Sequence, residues 1–418
     1  MMTLSPQSSF MYRQCLLLLV SAVLLVCLPQ AGMTAEFITK PGPEVRSSTL
    51  DTTLETTAFL PAGTQSGDEL SLAVYAFNGR WEAPGAPAPE RMRDALLHLG
   101  LAVVMLDYQN HEKAVKPDLW QDSSRFTSRD FFRACNDVLD IETREVFVVP
   151  EGYMLRNDIH FYTSPENGLE VNAWLLYPLQ ADQPVPLAIR YNDSLAQNGS
   201  MLAGVEYRGF ARAWIGHPYK YNRGRGIFPS GEETHEKGLA YGRSAVRTLR
   251  ARAQEFHLDP DRFAIFGYSK HGNISVWVGV TSDQPAEDPK WGGKHHDHSS
   301  AVQAVVARAS WGFTEFWKED GAPKFYEWMG YTGSGEPSQE WMEERSWSNF
   351  ISPATPPMAL DRAHGGPWRT AQVHRHIRIL DEHGVPMMQS LDSELPHHAS
   401  NRDDTLHQFV EEHLQVNP

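Results

Sequence analysis

The stretch of sequence that decides the fold runs from Leu258 to Asn273 and reads Leu-Asp-Pro-Asp-Arg-Phe-Ala-Ile-Phe-Gly-Tyr-Ser-Lys-His-Gly-Asn. Its apolar run, Phe263–Phe266, is typical of a buried strand, and the residues that follow the stretch continue as an apolar helix. Between strand and helix stands Gly-x-Ser-x-x-Gly, in which Ser269 lies between Gly267 and Gly272. A serine on so sharp a turn leaves little room for neighbouring Cβ atoms, so the pattern predicts a nucleophile elbow.

The same turn also predicts a donor for a negative charge. It directs the backbone N–H of Lys270 toward the place where a tetrahedral intermediate holds its oxyanion, and the helix dipole adds positive potential there. The alternative is a glycine-rich turn with an idle serine. The strand before and the helix after the turn favour Ser269 as the nucleophile.

These residues carry a resemblance to a known superfamily. Asp-Pro-Asp-Arg before the strand and Gly-Tyr-Ser-Lys-His-Gly after it resemble α/β-hydrolases of the dienelactone-hydrolase, prolyl-oligopeptidase and acetylxylan-esterase type. The Ser-Lys-x-Gly elbow is also similar to that of PhoPQ-activated pathogenicity-related proteins. The likeness covers roughly residues 159–418. It implies an α/β-hydrolase fold, a mostly parallel sheet with helices on both faces, and active-site residues in the chain order Ser, acid, His.

Two positions depart from the pattern of these relatives. The chain has His271 where the consensus has glycine, so the turn must tolerate a larger side chain. Many relatives carry His-Gly after an earlier strand to supply the second oxyanion donor, whereas this chain reads Arg190-Tyr191-Asn192-Asp193. We expect the second donor to be the backbone of Tyr191 or Asn192.

A serine hydroxyl needs a base, and the resemblance indicates where to look for it. A predicted helix, Val373–His383, and a predicted strand, Gly384–Met388, precede the pair His397-His398 and a terminal helix. This order resembles the last elements of the relatives, whose histidine is usually followed by a small residue. We therefore predict His398, which precedes Ala399, as the base, with His397 as the alternative.

The acid is predicted from the same chain order. The strand Pro357–Leu360 ends at Asp361, the natural place for the carboxylate that orients the histidine. The familiar Gly-x-x-Asp loop is absent there, so other carboxylates remain open: Asp392, Glu394, Glu315 and Asp320. If none of them reaches the histidine, the site is degenerate and its activity falls by several powers of ten.

The rest of the chain predicts a second α/β unit. A strand over Leu70–Phe77, a helix over Glu90–Leu99 and a strand over Leu101–Leu106 form a β-α-β unit, which indicates an N-terminal lobe or cap over residues 36–143. Residues 144–177 alternate in polarity between turns and predict antiparallel strands. These strands open a catalytic domain over residues 144–418.

Residues 1–35 read as a signal peptide. An apolar run, Leu16–Leu28, follows Arg13 and is too short to span a bilayer, so we expect removal of this leader and a secreted or periplasmic protein without membrane attachment. Lipidation at Cys27 is the alternative, but the residue before it is not small. Of three cysteines, Cys135 then stays alone, so no intramolecular disulfide forms.

Charge and composition indicate which partners and cofactors to expect. The net charge is −15 and no basic run is long enough to follow a phosphate backbone, so nucleic acid is not an expected partner. Arg243, Arg247, Arg250 and Arg252, like Arg223 and Arg225, are interpreted as solvated faces. We interpret the cluster His295–His298 as a solvated insertion, because adjacent loop residues do not readily face one ion, and we expect neither metal nor cofactor.

These features predict an exported serine hydrolase that cleaves carboxylic esters. Five tryptophans in residues 311–347 suit sugar rings or aryl acyl groups, although a tryptophan-rich core explains them equally well. The resemblance alone favours acetylated or feruloylated polysaccharide as substrate. One alternative is a prolyl-oligopeptidase-like peptidase, and another is a non-catalytic envelope binding protein on a degenerate hydrolase fold.

Overall fold

The computed structural model describes two main β-sheets. It covers residues 36–47, 52–54, 56–77, 88–107, 129–150, 152–165, 167–192, 210–216, 234–268, 270–282, 291–308, 316–319, 333–361, 367–390 and 404–415, with single positions at 310, 326, 329 and 331. One sheet has five strands and the other has eight. The predicted leader, residues 1–35, lies outside the described residues.

The N-terminal sheet is built from the first third of the chain. Its elements are β1 (Phe37–Pro41), β4 (Thr56–Pro61), β5 (Asp68–Phe77), α1 (Pro89–His98), β6 (Ala102–Asp107), α2 (Arg129–Leu139) and β7 (Ile141–Pro150), and β2 (Val45–Ser47) and β3 (Thr52–Leu54) form a separate ribbon. The strand order is β1-β4-β6-β5-β7, with β5 parallel to both β6 and β7. The β-α-β unit predicted from the sequence is thus present.

The larger sheet uses the rest of the chain. Its elements are β8 (Tyr153–Thr163), β9 (Glu170–Pro178), β10 (Val185–Asn192), β11 (Ala211–Gly216), α3 (Thr234–Ala251), β12 (Leu258–Tyr268), α4 (Lys270–Val280), β13 (Ala304–Arg308), α5 (Gln339–Glu344), a 3-10 turn (Trp347–Phe350), β14 (Met358–Asp361), α6 (Pro367–Glu382), β15 (Met387–Ser390) and α7 (Asp404–His413). The strand order is β8-β9-β11-β10-β12-β13-β14-β15.

This order has the α/β-hydrolase arrangement. Strands β10 to β15 run parallel to one another, and β9 is antiparallel to both β8 and β11. Along the central strand β12, Ile265 faces the core shared with α3 and α4, and the next residue, Phe266, faces the core shared with α7. This alternation, which follows from the two-residue period of a strand, places helices on both faces of the sheet.

The partner of β7 corrects one prediction. We predicted that residues from 144 onward open the catalytic domain, but β7 spans the predicted boundary at 143/144 and pairs with β5 in the smaller sheet. The antiparallel entry strands are β8 and β9 alone. The chain therefore passes from the smaller sheet to the larger sheet between β7 and β8. The sequence did not indicate this point, because alternating polarity marks a half-buried strand without encoding its partner.

The two sheets share a hydrophobic core. The ring of Phe147, on β7, lies 4.4 Å from that of Trp174 and 5.6 Å from that of Trp214, both on the larger sheet. Phe147 is fully buried, and the same cluster contains Met92 and Leu96 of α1. The N-terminal unit therefore packs against the larger sheet through this core.

Arg243 and Arg247 of α3 are buried and Arg250 is half-buried, so these side chains do not form the solvated face that we predicted. Arg243 Nε donates to Ser300 Oγ at 2.9 Å, and Arg247 Nε donates to the Lys294 carbonyl at 3.0 Å. Arg250 donates to the backbone of residues 260, 299 and 301, and burial lowers the pKa of its guanidinium to about 10. These side chains fasten residues 294–301 to α3, because a planar guanidinium can donate to several carbonyls at once.

Among the described residues, no helix has the length and apolar composition that a membrane crossing needs. Cys135 lies buried in α2, and desolvation raises the pKa of its thiol to about 12. A thiol that stays protonated is a weak nucleophile and a weak metal ligand.

Candidate active site

The predicted elbow occupies the junction of β12 and α4. Strand β12 ends at Tyr268 and α4 begins at Lys270, so Ser269 alone connects them. Ser269 itself lies outside the described residues, but the elements on either side are those that a nucleophile elbow requires. β12 is a central strand with a parallel neighbour on each side, which gives this junction a rigid base.

Gly267 shows how tight the turn is. A Cβ atom on Gly267 would lie 2.1 Å from the carbonyl oxygen of His271 and 2.5 Å from Ser275 Oγ. Real Cβ atoms do not approach backbone oxygens so closely, and a helix carbonyl cannot swing aside as a side chain can. The structure thus supplies the physical reason for glycine two positions before Ser269.

The start of α4 can act as an anion site. The first backbone N–H groups of a helix have no carbonyl partner within the helix, and the helix dipole makes this end positive. Lys270 is the first residue of α4, an eleven-residue helix. Its backbone N–H therefore belongs to this group of donors, although its side chain is not among those described.

His271 is accommodated by the core beneath the turn. The side chain is buried, and its ring lies 5.0 Å from the ring of Tyr191, which stacks on Tyr241 at 5.7 Å. Two glycines of α3 allow it to pack closely on α4: a Cβ on Gly242 would lie 3.1 Å from Val278 Cγ2, and one on Gly238 would lie 2.8 Å from Ile274 Cδ1. We did not predict these glycines, although their four-residue spacing on one helix face is a visible signal of close helix packing.

The two predicted second oxyanion donors lie at the carboxyl end of β10. Tyr191 pairs with Ile215 of β11 on one side and Gly267 of β12 on the other, whereas Asn192, the last residue of the strand, pairs with Gly216 of β11. β10 therefore ends beside the junction of β12 and α4, and the backbone of Tyr191 or Asn192 as second donor stays a prediction.

The register of the sheet brings the predicted triad segments to one edge. Tyr268, Arg308, Asp361 and Ser390 are paired in that order across β12, β13, β14 and β15. All four strands are parallel, so their carboxyl ends share this edge. The segments that contain or follow Ser269, Asp361 and Ser390 therefore all leave the sheet on the same side.

Asp361 is the last residue of β14, and only its backbone is described. His397 and His398 lie in the segment after β15, outside the described residues, as do the alternative acids Asp392, Glu394, Glu315 and Asp320. Neighbouring strands are about 4.8 Å apart, so Asp361 begins about 10 Å from Tyr268 and its loop must bridge this gap. The structure thus brings the three elements together and leaves the side-chain geometry of the triad as a prediction.

The tryptophans divide between the core and residues outside the described set. Trp317 and Trp347 are fully buried, and Trp317 packs on Tyr326 with ring centroids 5.5 Å apart. Trp341 is half-buried, and Trp311 and Trp328 are not described. Trp317 and Trp347 are therefore core residues and not a platform for substrate.

His376 of α6 is a core histidine and a poor base. Its ring is fully buried, 4.7 Å from the ring of Trp347, and burial lowers its pKa to about 3. An imidazole with such a low pKa stays neutral in the native protein. The unfolded chain binds a proton near pH 6.5, so the folded state loses stability as pH falls from about 6.5 toward 3.

We expect this loss to amount to about 2 kcal/mol of unfolding free energy between pH 7 and pH 5. Urea unfolding at both pH values measures it in the wild type and in His376→Gln, which lacks the titrating ring. His374→Gln, at an exposed position of the same helix, is the control and should keep the wild-type dependence. Identical pH dependence in His376→Gln and the wild type would contradict the assignment.

One family model matches part of the chain. Residues 235–367 match the family model described as BD-FAE, a hydrolase domain, and this match spans α3, the elbow and β14. No curated protein matches the chain.

Three solved structures illustrate the likeness. A truncated carbohydrate esterase from gut microbiota is 17% identical, with 63% of this chain and 96% of that chain covered and a TM-score of 0.49. An acetyl ester-xyloside bifunctional hydrolase from Caldicellulosiruptor lactoaceticus is 18% identical, with coverages of 64% and 94% and a TM-score of 0.43. An acylaminoacyl peptidase from Pyrococcus horikoshii is 12% identical, with coverages of 64% and 43% and a TM-score of 0.48.

The strand order, the glycine-lined turn before α4 and the family match stand independently of these structures. The strand order gives the larger unit an α/β-hydrolase fold, and the family match over residues 235–367 is to a hydrolase domain.

Proposed function

We propose that this protein hydrolyses carboxylic esters, with Ser269 as nucleophile, His398 as base and Asp361 as the orienting acid. The observation that supports the proposal most is the close approach at Gly267, where a Cβ would lie 2.1 Å from the His271 carbonyl oxygen. A turn this tight costs conformational freedom and restricts the sequence, which is typical of a constrained functional position. An idle serine would need no such turn.

The proposed reaction is acyl transfer to water. Ser269 Oγ forms a bond to the ester carbonyl carbon while His398 accepts the hydroxyl proton, and the backbone N–H of Lys270 donates to the oxyanion. The tetrahedral intermediate then collapses: the bond to the alcohol breaks, and His398 passes its proton to the leaving oxygen. Water attacks the acyl-enzyme by the same steps, which release the acid and restore Ser269.

We propose acetylated or feruloylated polysaccharide as the substrate and the secreted or periplasmic space as the location. The resemblance of the elbow to acetylxylan esterases supports the first part. The leader-like residues 1–35 support the second, because a bulky polysaccharide is met outside the cytoplasm. The N-terminal unit also supports an esterase over a prolyl-oligopeptidase-like peptidase, since it is a five-stranded sheet fused to the hydrolase core and not a separate gating domain.

Labelling with a fluorophosphonate probe tests the proposal. We expect the wild type to be labelled and the modified peptide, identified by mass spectrometry, to contain Ser269. Ser269→Ala and His398→Ala should both lose the label, and His397→Ala distinguishes the two adjacent histidines. An unlabelled wild type that also fails to hydrolyse p-nitrophenyl acetate would reject the enzyme and favour a non-catalytic binding protein.

A further inference from the structure

The histidine-rich segment between α4 and β13 forms a closed turn. The backbone N–H of His298 donates to the carbonyl of His295 at 2.9 Å, and His295 has a φ of 52°. A non-glycine residue in this left-handed region is uncommon and requires support from its surroundings. The four residues are interpreted above as a solvated insertion, and His295, His296 and Asp297 are exposed, but the turn brings three of the four side chains together.

Three side chains of this turn converge. One ligand atom from each of His295, Asp297 and His298 lies within 4.8 Å of the other two. Within the group, Asp297 Oδ2 lies 3.7 Å from His298 Nε2. The four adjacent residues do not all face one point, as expected, but these three do.

His296 is the exception within the turn, which makes it a useful comparison. Its Nε2 lies 3.0 Å from the carbonyl oxygen of Gly293, and it is not one of the three converging side chains. The turn thus contains two histidines whose ring nitrogens converge with a carboxylate and one whose ring is engaged elsewhere.

The protein holds the base of the turn in place. Ser244 Oγ of α3 accepts from the backbone N–H of Lys294 at 2.7 Å, and Arg247 Nε donates to the Lys294 carbonyl at 3.0 Å. Lys294 Nζ lies 2.6 Å from His160 Nδ1 of β8. These contacts fix the backbone on which the three side chains stand, so binding an ion there would require ordering side chains alone.

We propose that His295, Asp297 and His298 bind one divalent transition-metal ion of the Zn²⁺ class, with water completing its coordination. Imidazole nitrogen and carboxylate oxygen suit such ions, at bond lengths of about 2.0–2.2 Å. Ligand atoms around a tetrahedral ion are about 3.3 Å apart, so the side chains must close in slightly. His295 and Asp297 are exposed and His298 is half-exposed, so they are free to rotate by this amount.

The charges around the turn limit the affinity. Asp297 attracts the ion, whereas the nearby cations Lys294 and Arg247 oppose it. Two histidines, one carboxylate and this mixed field are consistent with binding in the micromolar range and not with a tightly held structural ion.

The site is separate from the proposed catalytic residues. Residues 291–301 lead into the amino end of β13, whereas Ser269 follows the carboxyl end of β12, which is parallel to β13. The ion would therefore hold the turn closed on itself and raise stability, without taking part in ester hydrolysis.

Calorimetric titration of the tag-free protein with Zn²⁺ tests this site. We expect one equivalent to bind, and His295→Gln and His298→Gln each to weaken binding by at least about tenfold. Asp297→Asn should weaken it less, because the amide oxygen remains a possible ligand. His296→Gln is the matched control and should bind as the wild type does. Saturating Zn²⁺ should raise Tm in the wild type and in His296→Gln but not in His298→Gln.

Two outcomes would overturn the proposal. The first is a wild type that binds no Zn²⁺ at millimolar concentration. The second is equal affinity in the wild type, His295→Gln and His298→Gln, which would place any bound ion at other histidines. Fluorophosphonate labelling of the same variants keeps this test apart from the proposed function, because loss of the metal site should leave the labelling of Ser269 unchanged.

Discussion

Ser269→Ala should lower the turnover of p-nitrophenyl acetate by at least about 10³-fold, because the acyl-enzyme cannot form without the hydroxyl. The substitution removes one oxygen atom and leaves the turn between β12 and α4 intact. We therefore expect Tm to stay close to that of the wild type. Steady-state kinetics and a thermal melt on the same preparation measure both quantities.

Ser282→Ala provides the control for this experiment. Ser282 lies two residues beyond the end of α4, at the opposite end of that helix from the elbow. It should keep wild-type turnover. If Ser269→Ala retained more than about a tenth of the activity while Ser282→Ala behaved as wild type, another nucleophile would have to be sought.

Gly267→Ala should damage both folding and activity. The added Cβ would meet the His271 carbonyl oxygen at 2.1 Å, so either α4 or the end of β12 has to move. Overpacking against side chains costs about 1–3 kcal/mol, and a clash with helix backbone belongs at or above the top of that range. A displacement of about 1 Å at the nucleophile would also lower kcat about 10²-fold. Urea unfolding and ester turnover measure the two effects.

Gly242→Ala is the comparison that isolates backbone crowding. Its Cβ would meet only side-chain atoms, the nearest being Val278 Cγ2 at 3.1 Å, and alanine is favoured over glycine inside a helix. The net change should be within about 1 kcal/mol. Equal losses for Gly242→Ala and Gly267→Ala would show that general crowding, and not the tight turn, explains the second variant.

The sequence by itself predicted the elements that surround the elbow. Phe263–Phe266 is apolar enough for a buried central strand, and the glycines around Ser269 indicate a turn too tight for side chains. The strand that ends at Asp361 and the strand that precedes the terminal histidines were both predicted, in the correct chain order. These features are local, since hydrophobic period, turn chemistry and chain order are properties of adjacent residues.

Other features were decided only by tertiary structure. The sequence marks β7 as a strand, yet its pairing with β5 depends on which edge is available once both sheets form. From the sequence alone, Arg243 and Arg247 were interpreted as surface residues. In the folded chain, residues 294–301 cover them and accept their hydrogen bonds. The convergence of His295, Asp297 and His298 likewise depends on that segment being fastened to α3. Each of these features depends on contacts between residues about 50 or more positions apart in the chain. No local sequence pattern could therefore have predicted it.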